Sequence, residues 1–247
     1  MMLNSRLQSI VNRVDHLGFV SVKDLAAQFG VAVETIRRDL RSLEEAGYIK
    51  RSHGGVMSLM DDDAGLAFGN RQSENTSAKQ AIATKALEHV KSGDVIMLDA
   101  SSSSWFLAEA LPHEDLTVIT NSVRIVFELV KKPAIKTLAI GGRYSEKYGA
   151  FLGALAVSQV ADFRADTFFF SCTGFDEEQG AWESNELNAA IKQMMRRSSQ
   201  KSILLCDESK LGKSGLIKLC DANQIDTVIT EDNSFNFGGE APLHAEE

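Results

Sequence analysis

Cysteine, proline and tryptophan are all scarce in this chain: 3, 3 and 2 among 247 residues. The cysteines, Cys172, Cys206 and Cys220, show no C-x-x-C spacing. That argues against a disulfide framework and points to reduced, mostly buried thiols of a cytoplasmic protein. The histidines (His16, His53, His89, His113 and His244) are scattered, and no spacing suggests a zinc site. Neither a metal nor a cofactor is expected. No apolar run approaches the ~20 residues needed to cross a bilayer, and the start lacks the basic-then-apolar layout of a signal peptide. A cytoplasmic location with no membrane contact is the expectation. Internal repeats and low-complexity segments are also missing.

Positive charge is short overall, with 26 Lys and Arg against 34 Asp and Glu and a net charge of −8. The sum hides a distribution. Residues 1–60 carry 8 basic and 6 acidic side chains, net +2, and the remainder carries 18 and 28, net −10. Phosphate contacts depend on local charge, so a small basic head on an acidic body can still bind DNA.

What is present is organised in two parts. Three helices and a hairpin fit into the first 60 residues. Leu3, Leu7, Ile10, Val11, Val14 and Leu17 recur near a 3.6-residue period, and Gly18 ends that helix. Ser21 and Asp24 have the spacing of a capping box before a second helix, about Val22 to Phe29, that stops at Gly30. A third helix spans about Val33 to Ala46, and Ile49 to Leu59 reads as two short strands turned at Gly54-Gly55. Residues 61–76 have no strong period and are assigned to a linker. From residue 77 to 232 helices alternate with short apolar strands at Val95–Leu98, Thr117–Thr120, Thr137–Ile140, Thr167–Phe170, Ser202–Leu205 and Thr227–Ile229. The fold class is therefore α/β: a small winged helix-turn-helix followed by a doubly wound, mostly parallel effector domain. Residues 233–247 read as a flexible tail.

The third helix, V-E-T-I-R-R-D-L-R-S-L, places Val33, Ile36, Leu40 and Leu43 on an apolar stripe. At 100° per residue, Glu34, Arg37, Arg38 and Arg41 fall opposite. Three arginines on a convex surface one helix wide suit a major groove, where arginine grips phosphate or binds guanine through two hydrogen bonds. Thr35 is placed to touch a phosphate or a thymine methyl. Lys50, Arg51 and His53 sit where a wing would meet the flanking backbone. An isolated charged face is more often merely solvated; three closely spaced helices with a hairpin behind them favour double-stranded operator DNA as the partner. Regulators with such heads usually pair two half-sites, so a homodimer or homotetramer is expected.

In doubly wound folds ligands bind beyond the carboxyl ends of the strands. The segments there are small and polar. Asp99-Ala100 is followed by Ser101, Ser102, Ser103 and Ser104 before a helix, an arrangement that offers an anion free N–H groups, hydroxyls and a dipole end. Thr120, Asn121 and Ser122 follow the second strand, and Gly141, Gly142 and Arg143 the third. Ser171, Cys172, Thr173 and Asp176 follow the fourth, and Asp207 to Lys210 the fifth, where Lys210 could neutralise a phosphate. Each loop alone could be a plain turn or cap; five on one sheet edge point to a polar pocket for an anionic ligand.

The run V-A-V-E-T-I-R-R-D-L-R-S-L-E-E-A-G-Y-I-K-R-S-H-G-G, Val31 to Gly55, resembles the signature of the DeoR family of bacterial sugar-operon regulators. Ala32 departs from the helix-capping serine usual there. The resemblance extends through D-A-S-S-S-S, T-N-S, the paired glycines, Gly153, the Asp166-to-Asp176 segment, Glu186, Lys192 and D-x-S-K ending at Lys210, and so covers roughly residues 3–230. It implies that Thr35, Arg37, Arg38 and Arg41 lie in a recognition helix, and that the effector is a phosphorylated sugar with Glu186 and Lys192 near it. Ser101 stands where the family has a glycine. Further runs, L-D-A-S-S-x-x-W from Leu98, E-K-Y-G from Glu146, F-S-C-x-G from Phe170 and W-x-S-N-x-x-N-A from Trp182, resemble the branch that regulates L-fucose operons. That implies a phosphorylated ketose such as L-fuculose 1-phosphate, with Trp182, Asn185 and Asn188 as candidate sugar contacts.

Two other readings compete. The effector domain also resembles sugar-phosphate isomerases, in which Asp176, Glu186 and Lys192 would transfer protons, but their K-G-G-G segment is absent. The helix-turn-helix could instead serve protein contacts. A sensor without catalysis remains the expectation.

Overall fold

A computed structural model describes residues 5–17, 19–52, 55–58 and 66–232. The chain divides into two compact units, Met1–Arg71 and Gln72–Glu247. Leu3, the Gly18 stop, His53, Gly54, residues 59–65 and the 233–247 tail fall outside the described residues.

The first unit contains helix α1 (Ser5–Leu17), strand β1 (Phe19–Ser21), α2 (Val22–Phe29), α3 (Val33–Glu45), β2 (Ile49–Ser52) and β3 (Gly55–Ser58). Its strands form an antiparallel sheet in the order β1-β3-β2. Leu7, Ile10, Val14, Leu25, Ile36, Leu40, Leu43, Ile49 and Val56 close one core. Burying each such side chain contributes about 1.5–3 kcal/mol. The expected stripe of α3 holds except at Val33, which is 37% exposed at the helix's first position. Ser21 does cap α2, accepting the Asp24 N–H at 3.1 Å, but its hydroxyl donates to the Asp24 carboxylate at 2.7 Å. It is a one-sided cap rather than the reciprocal box. Strand β1 was not expected; three residues are too few for a period to show.

Helix α4 (Phe68–Ser73) and the start of α5 (Thr76–Ala86) occupy part of the segment read as a linker. Next come β4 (Val95–Leu98), α6 (Ser102–Ala110), β5 (Leu116–Thr120), α7 (Val123–Leu129) and β6 (Ile135–Ala139). A hairpin, β7 (Arg143–Ser145) and β8 (Ala150–Leu152), precedes α8 (Ala154–Ala161) and β9 (Ala165–Phe170). Then follow β10 (Gly174–Asp176), β11 (Gly180–Glu183), α9 (Glu186–Arg197), β12 (Ser199–Leu205), β13 (Ile217–Cys220) and β14 (Thr227–Ile229).

Six strands form a sheet in the order β14-β12-β9-β4-β5-β6, and every pairing is parallel. Alternate side chains go to opposite faces, as strand geometry requires. Met97, Phe168, Phe170 and Leu204 meet α8 and α9 on one side. Ile96, Leu98, Phe169, Ile203 and Leu205 meet α5, α6 and α7 on the other. The order runs outward from β4 through β5 and β6, then resumes at β9 on β4's other flank. The loops leaving β4 and β9 therefore diverge, and this switch point is where a doubly wound sheet opens a crevice. A second sheet, β10-β11-β13, is antiparallel and returns the chain over the end of β9.

Candidate functional site

In the first unit, α3 starts without a side-chain cap, because Ala32 offers no acceptor. Its fixed point is Asp39, buried on the inner side, which takes the Arg6 guanidinium at 2.8 and 3.2 Å and ties α3 to α1. The outer side carries Arg37, Arg38 and Arg41, all exposed, with Thr35 half-buried in the first turn. They are not equivalent. Arg37 lies 3.3 Å from the Glu34 carboxylate. Arg38 and Arg41 have no ion pair among the described residues. In β2, Lys50 is exposed and likewise unpaired among the described residues, whereas Arg51 is held to Glu44, through its N–H at 2.9 Å and its guanidinium at 3.7 Å. Glu44 so fixes the start of the hairpin against the end of α3.

The switch point of the second unit is built around Asp99, 1% exposed at the end of β4. Its Oδ1 accepts the Ser101 and Ser104 hydroxyls at 2.6 and 2.5 Å and the Ser101 N–H at 3.2 Å. Its Oδ2 accepts the Ser171 N–H at 3.2 Å and faces the Lys192 ammonium at 3.0 Å. One carboxylate thus joins the loops after β4 and β9. Lys192 also donates to the Ser171 carbonyl at 2.8 Å and to Glu183 of β11. All three of its protons are spent on protein. Burial alone would push the Lys192 ammonium down, but Glu183 and Asp99 outweigh that and hold it above its ordinary value. Glu183 is buried too, which alone would raise its carboxyl. Lys192, the Ser184 N–H at 2.8 Å and the Thr173 hydroxyl at 2.9 Å hold it below the usual range.

Around this hub the serines divide their work. Ser101 caps α6, accepting the Ser104 N–H at 3.1 Å, so the hydroxyl found in place of the expected glycine serves the helix and Asp99 together. Ser102 is buried. The hydroxyl of Ser103, a fully buried residue, finds no hydrogen-bond partner among the described residues, and neither does Oδ1 of buried Asn121, whose amide donates to the Phe151 carbonyl at 2.9 Å. Leaving a buried polar group unmatched costs about 1–3 kcal/mol. Thr120 and Ser122 are engaged locally, the first accepting the Ser122 N–H at 3.1 Å, the second capping α7. At the end of β12, Lys210 lies 3.0 Å from Asp207 and donates to the Ser171 hydroxyl at 2.8 Å. Burial would raise the Asp207 carboxyl, but Lys210 with hydrogen bonds from Ser209 and Asn75 holds it low.

Other expected residues are placed elsewhere. Gly142 has φ +148°, and a Cβ there would stand 2.9 Å from the Leu152 carbonyl, so its backbone approach serves the β7–β8 hairpin. Arg143 is exposed on β7. Asp176 accepts the N–H groups of Glu178 and Gln179, both at 2.9 Å, and shapes the β10–β11 turn. That turn lines a cleft of about 330 Å³ with Phe175, Leu211 and Gly212. Cys172 is buried beside Cys206, which with burial raises its thiol well above the ordinary range. Glu186 is exposed in the first turn of α9. Asp176, Glu186 and Lys192 share no hydrogen bond or ion pair among the described residues. Asn185 caps α9 and donates to the Tyr148 hydroxyl at 3.0 Å, buried Asn188 supplies the N–H that it accepts, and the half-buried Trp182 indole N–H has no partner among the described residues. Sequence reasoning missed Glu183 as a partner of Lys192, and named Asp207 within the D-x-S-K run without pairing it to Lys210. For Glu183 the available signal was its position at a strand end. No group of three or more His, Cys, Asp or Glu among the described residues could hold a metal ion, and no described helix is long and apolar enough to cross a membrane.

Comparison with known proteins bears on both units. The sequence profile of the DeoR-like helix-turn-helix domain matches residues 6–61, and that of the DeoR C terminal sensor domain matches residues 74–232. An L-fucose operon activator of Haemophilus influenzae is 42% identical over 93% of this chain and 92% of its own. The HTH-type transcriptional regulator YulB of Bacillus subtilis is 38% identical over 94% of this chain and 90% of its own. An L-fucose operon activator of Escherichia coli is 35% identical over 92% and 95%.

Proposed function

The chain belongs to the DeoR family of DNA-binding regulators, and on that premise we propose that it controls a sugar-utilisation operon in response to a phosphorylated sugar. The head, residues 1–60, reads double-stranded operator DNA in the cytoplasm. Arg38 and Arg41 are its principal contacts, because their guanidinium groups need not break an ion pair first. Arg37, Lys50 and Arg51 hold the flanking phosphates with Thr35 and His53. Two half-sites call for a homodimer or homotetramer.

The sensor, residues 77–232, takes the phosphate at the β4–β9 switch point. The observation that carries this reading is two of the unmatched buried groups, the Ser103 hydroxyl at the start of α6 and Asn121 Oδ1 after β5. A ligand supplying an acceptor to the first and a hydroxyl to the second answers both, and a sugar phosphate has both. Lys210, with a fifth of its side chain exposed, is the cation beside the crevice. Lys192 acts from below, holding Asp99 and through it the α6 serines. The names of the relatives at 42% and 35% identity favour L-fuculose 1-phosphate as the sugar.

The test is thermal unfolding with sugar phosphates and their unphosphorylated parents. A ligand at 100 times its dissociation constant adds about 2.7 kcal/mol of stability. Stabilisation by the phosphorylated form alone, reduced in Lys210→Ala, is the expected result. Equal stabilisation by the free sugar removes the phosphate from the site.

A further inference from the structure

A residue at the entrance to α5, near the start of the second unit, breaks two local preferences at once. Asn75, just before α5, has φ +50° and is the one non-glycine residue with positive φ among those described. Asparagine tolerates that conformation better than most residues, yet at the start of a helix it favours extended backbone with its side chain turned back onto the first N–H groups. Here α5 receives no side-chain cap. The amide is drawn away instead, donating to Asp207 Oδ1 at 3.0 Å and to the Ser209 hydroxyl at 3.1 Å. The turn around it is pinned on both sides: Lys79 donates to the Glu74 carbonyl at 2.5 Å and Thr76 to the Gln72 carbonyl at 3.3 Å.

From Asn75 an unbroken polar chain leads to the candidate phosphate site. Asp207 pairs with Lys210, Lys210 donates to the Ser171 hydroxyl, and the Ser171 N–H donates to Asp99, which holds the α6 serines. We infer that Asn75 is a positioning residue that reports occupancy of this site to the connection leading from the head. The inference rests on the sugar-phosphate reading above. A phosphate that draws Lys210 toward it weakens the Lys210–Asp207 pair and leaves Asp207 to lean harder on the Asn75 amide, which holds the positive φ. With the site empty and Lys210 on Asp207, the amide is held less firmly, and Asn75 can turn to extended backbone and cap α5, so the peptide entering the helix changes direction. That gives a two-state element at the point where the sensor unit meets the chain from the head, and both ligand and helix bias it.

The test uses full-length wild type and Asn75→Gly, which accepts the positive φ but removes the amide. Binding of L-fuculose 1-phosphate is measured by calorimetry. Affinity is then measured, with and without that sugar phosphate, for a duplex selected by the wild-type protein from a random pool. Couplings of this kind typically span about 5–150-fold. Wild type should show such a shift; N75G should bind the sugar phosphate within about threefold of wild type and lose most of the shift. Ser209→Ala, at an exposed position, should lose part of it, and carries the same arms if N75G does not fold. An undiminished shift in the variants overturns the role of Asn75 while the sugar-phosphate reading stands. Loss of ligand binding in N75G would make Asn75 a pocket residue and also overturns it. Failure of wild type to bind the sugar phosphate removes the reading and the inference together.

Discussion

Arg38 and Arg41 of the head and Lys192 and Lys210 of the sensor are cations put to opposite uses. The arginines stand on the outside of one helix with no ion pair among the described residues. The lysines lie in the interior or at its edge, and each is matched to a carboxylate from a distant part of the chain or from the next turn. An exposed, uncommitted cation is available to a polyanion arriving from solution, whereas a buried, committed one fixes loops. A site for a single small phosphate needs fixed loops more than it needs free charge, because preorganised N–H and hydroxyl donors meet the ligand without first being ordered.

The largest break in that contrast comes from Lys192→Met. It leaves Asp99 and Glu183 buried without their counter-charge, and removing one partner of a buried ionic cluster costs about 3–5 kcal/mol. Trp105 and Trp182 both lie in the second unit, so denaturant unfolding followed by tryptophan fluorescence reads this unit alone. A loss under about 1 kcal/mol would mean the cluster is wetter than its burial indicates. The same cluster and the neighbouring Asp207–Lys210 pair set the acid response. Glu183 and Asp207 have carboxyls held below their ordinary values. Their contribution is complete above about pH 4–5 and disappears as the pH falls through the lower folded-state values. Fluorescence-detected stability should therefore be flat from that range up to about pH 8, where unfolded thiols begin to ionise, and decline below it.

The matching change in the head should cost function and spare the fold. Arg38→Ala with Arg41→Ala leaves exposed surface, where stability moves by about ±0.5 kcal/mol. Removing an arginine that touches a base edge should cost operator binding about 1–3 kcal/mol, and removing one that grips a phosphate should flatten the salt slope by about one. Wild-type affinity in the double variant, measured by fluorescence anisotropy at several salt concentrations, would mean that another surface meets the DNA. Arg37→Ala should have the smallest effect, at the bottom of that range, since Arg37 already leans on Glu34. A loss equal to that of Arg41→Ala would show that the Glu34 pairing gives way on binding.

The contrast also explains what could be read from the sequence. In the head, burial follows from a period within one helix, so Ile36, Leu40 and Leu43 on the inside and the arginines on the outside were legible from residue spacing alone. The six parallel strands were legible for the same reason, as short apolar runs between amphipathic helices. The hub was not. Lys192 meets Asp99 from a helix far along the chain, and Glu183 arrives on β11, whose Gly-Ala-Trp-Glu sequence is not the β-branched apolar run that marks a strand. Asp207 stood in plain view beside Lys210, but that it occupies the lysine depends on how the end of β12 folds back. Val33 shows the same limit in the head: the period placed it inside, and the open first turn of an uncapped helix left it half in solvent.

The measurement that bears most directly on the account is a titration of the full-length protein against its selected duplex at one fixed salt concentration, run with no sugar, with L-fuculose and with L-fuculose 1-phosphate. The account predicts that only the phosphorylated sugar changes the affinity. An equal change with both sugars, or no change with either, would contradict it.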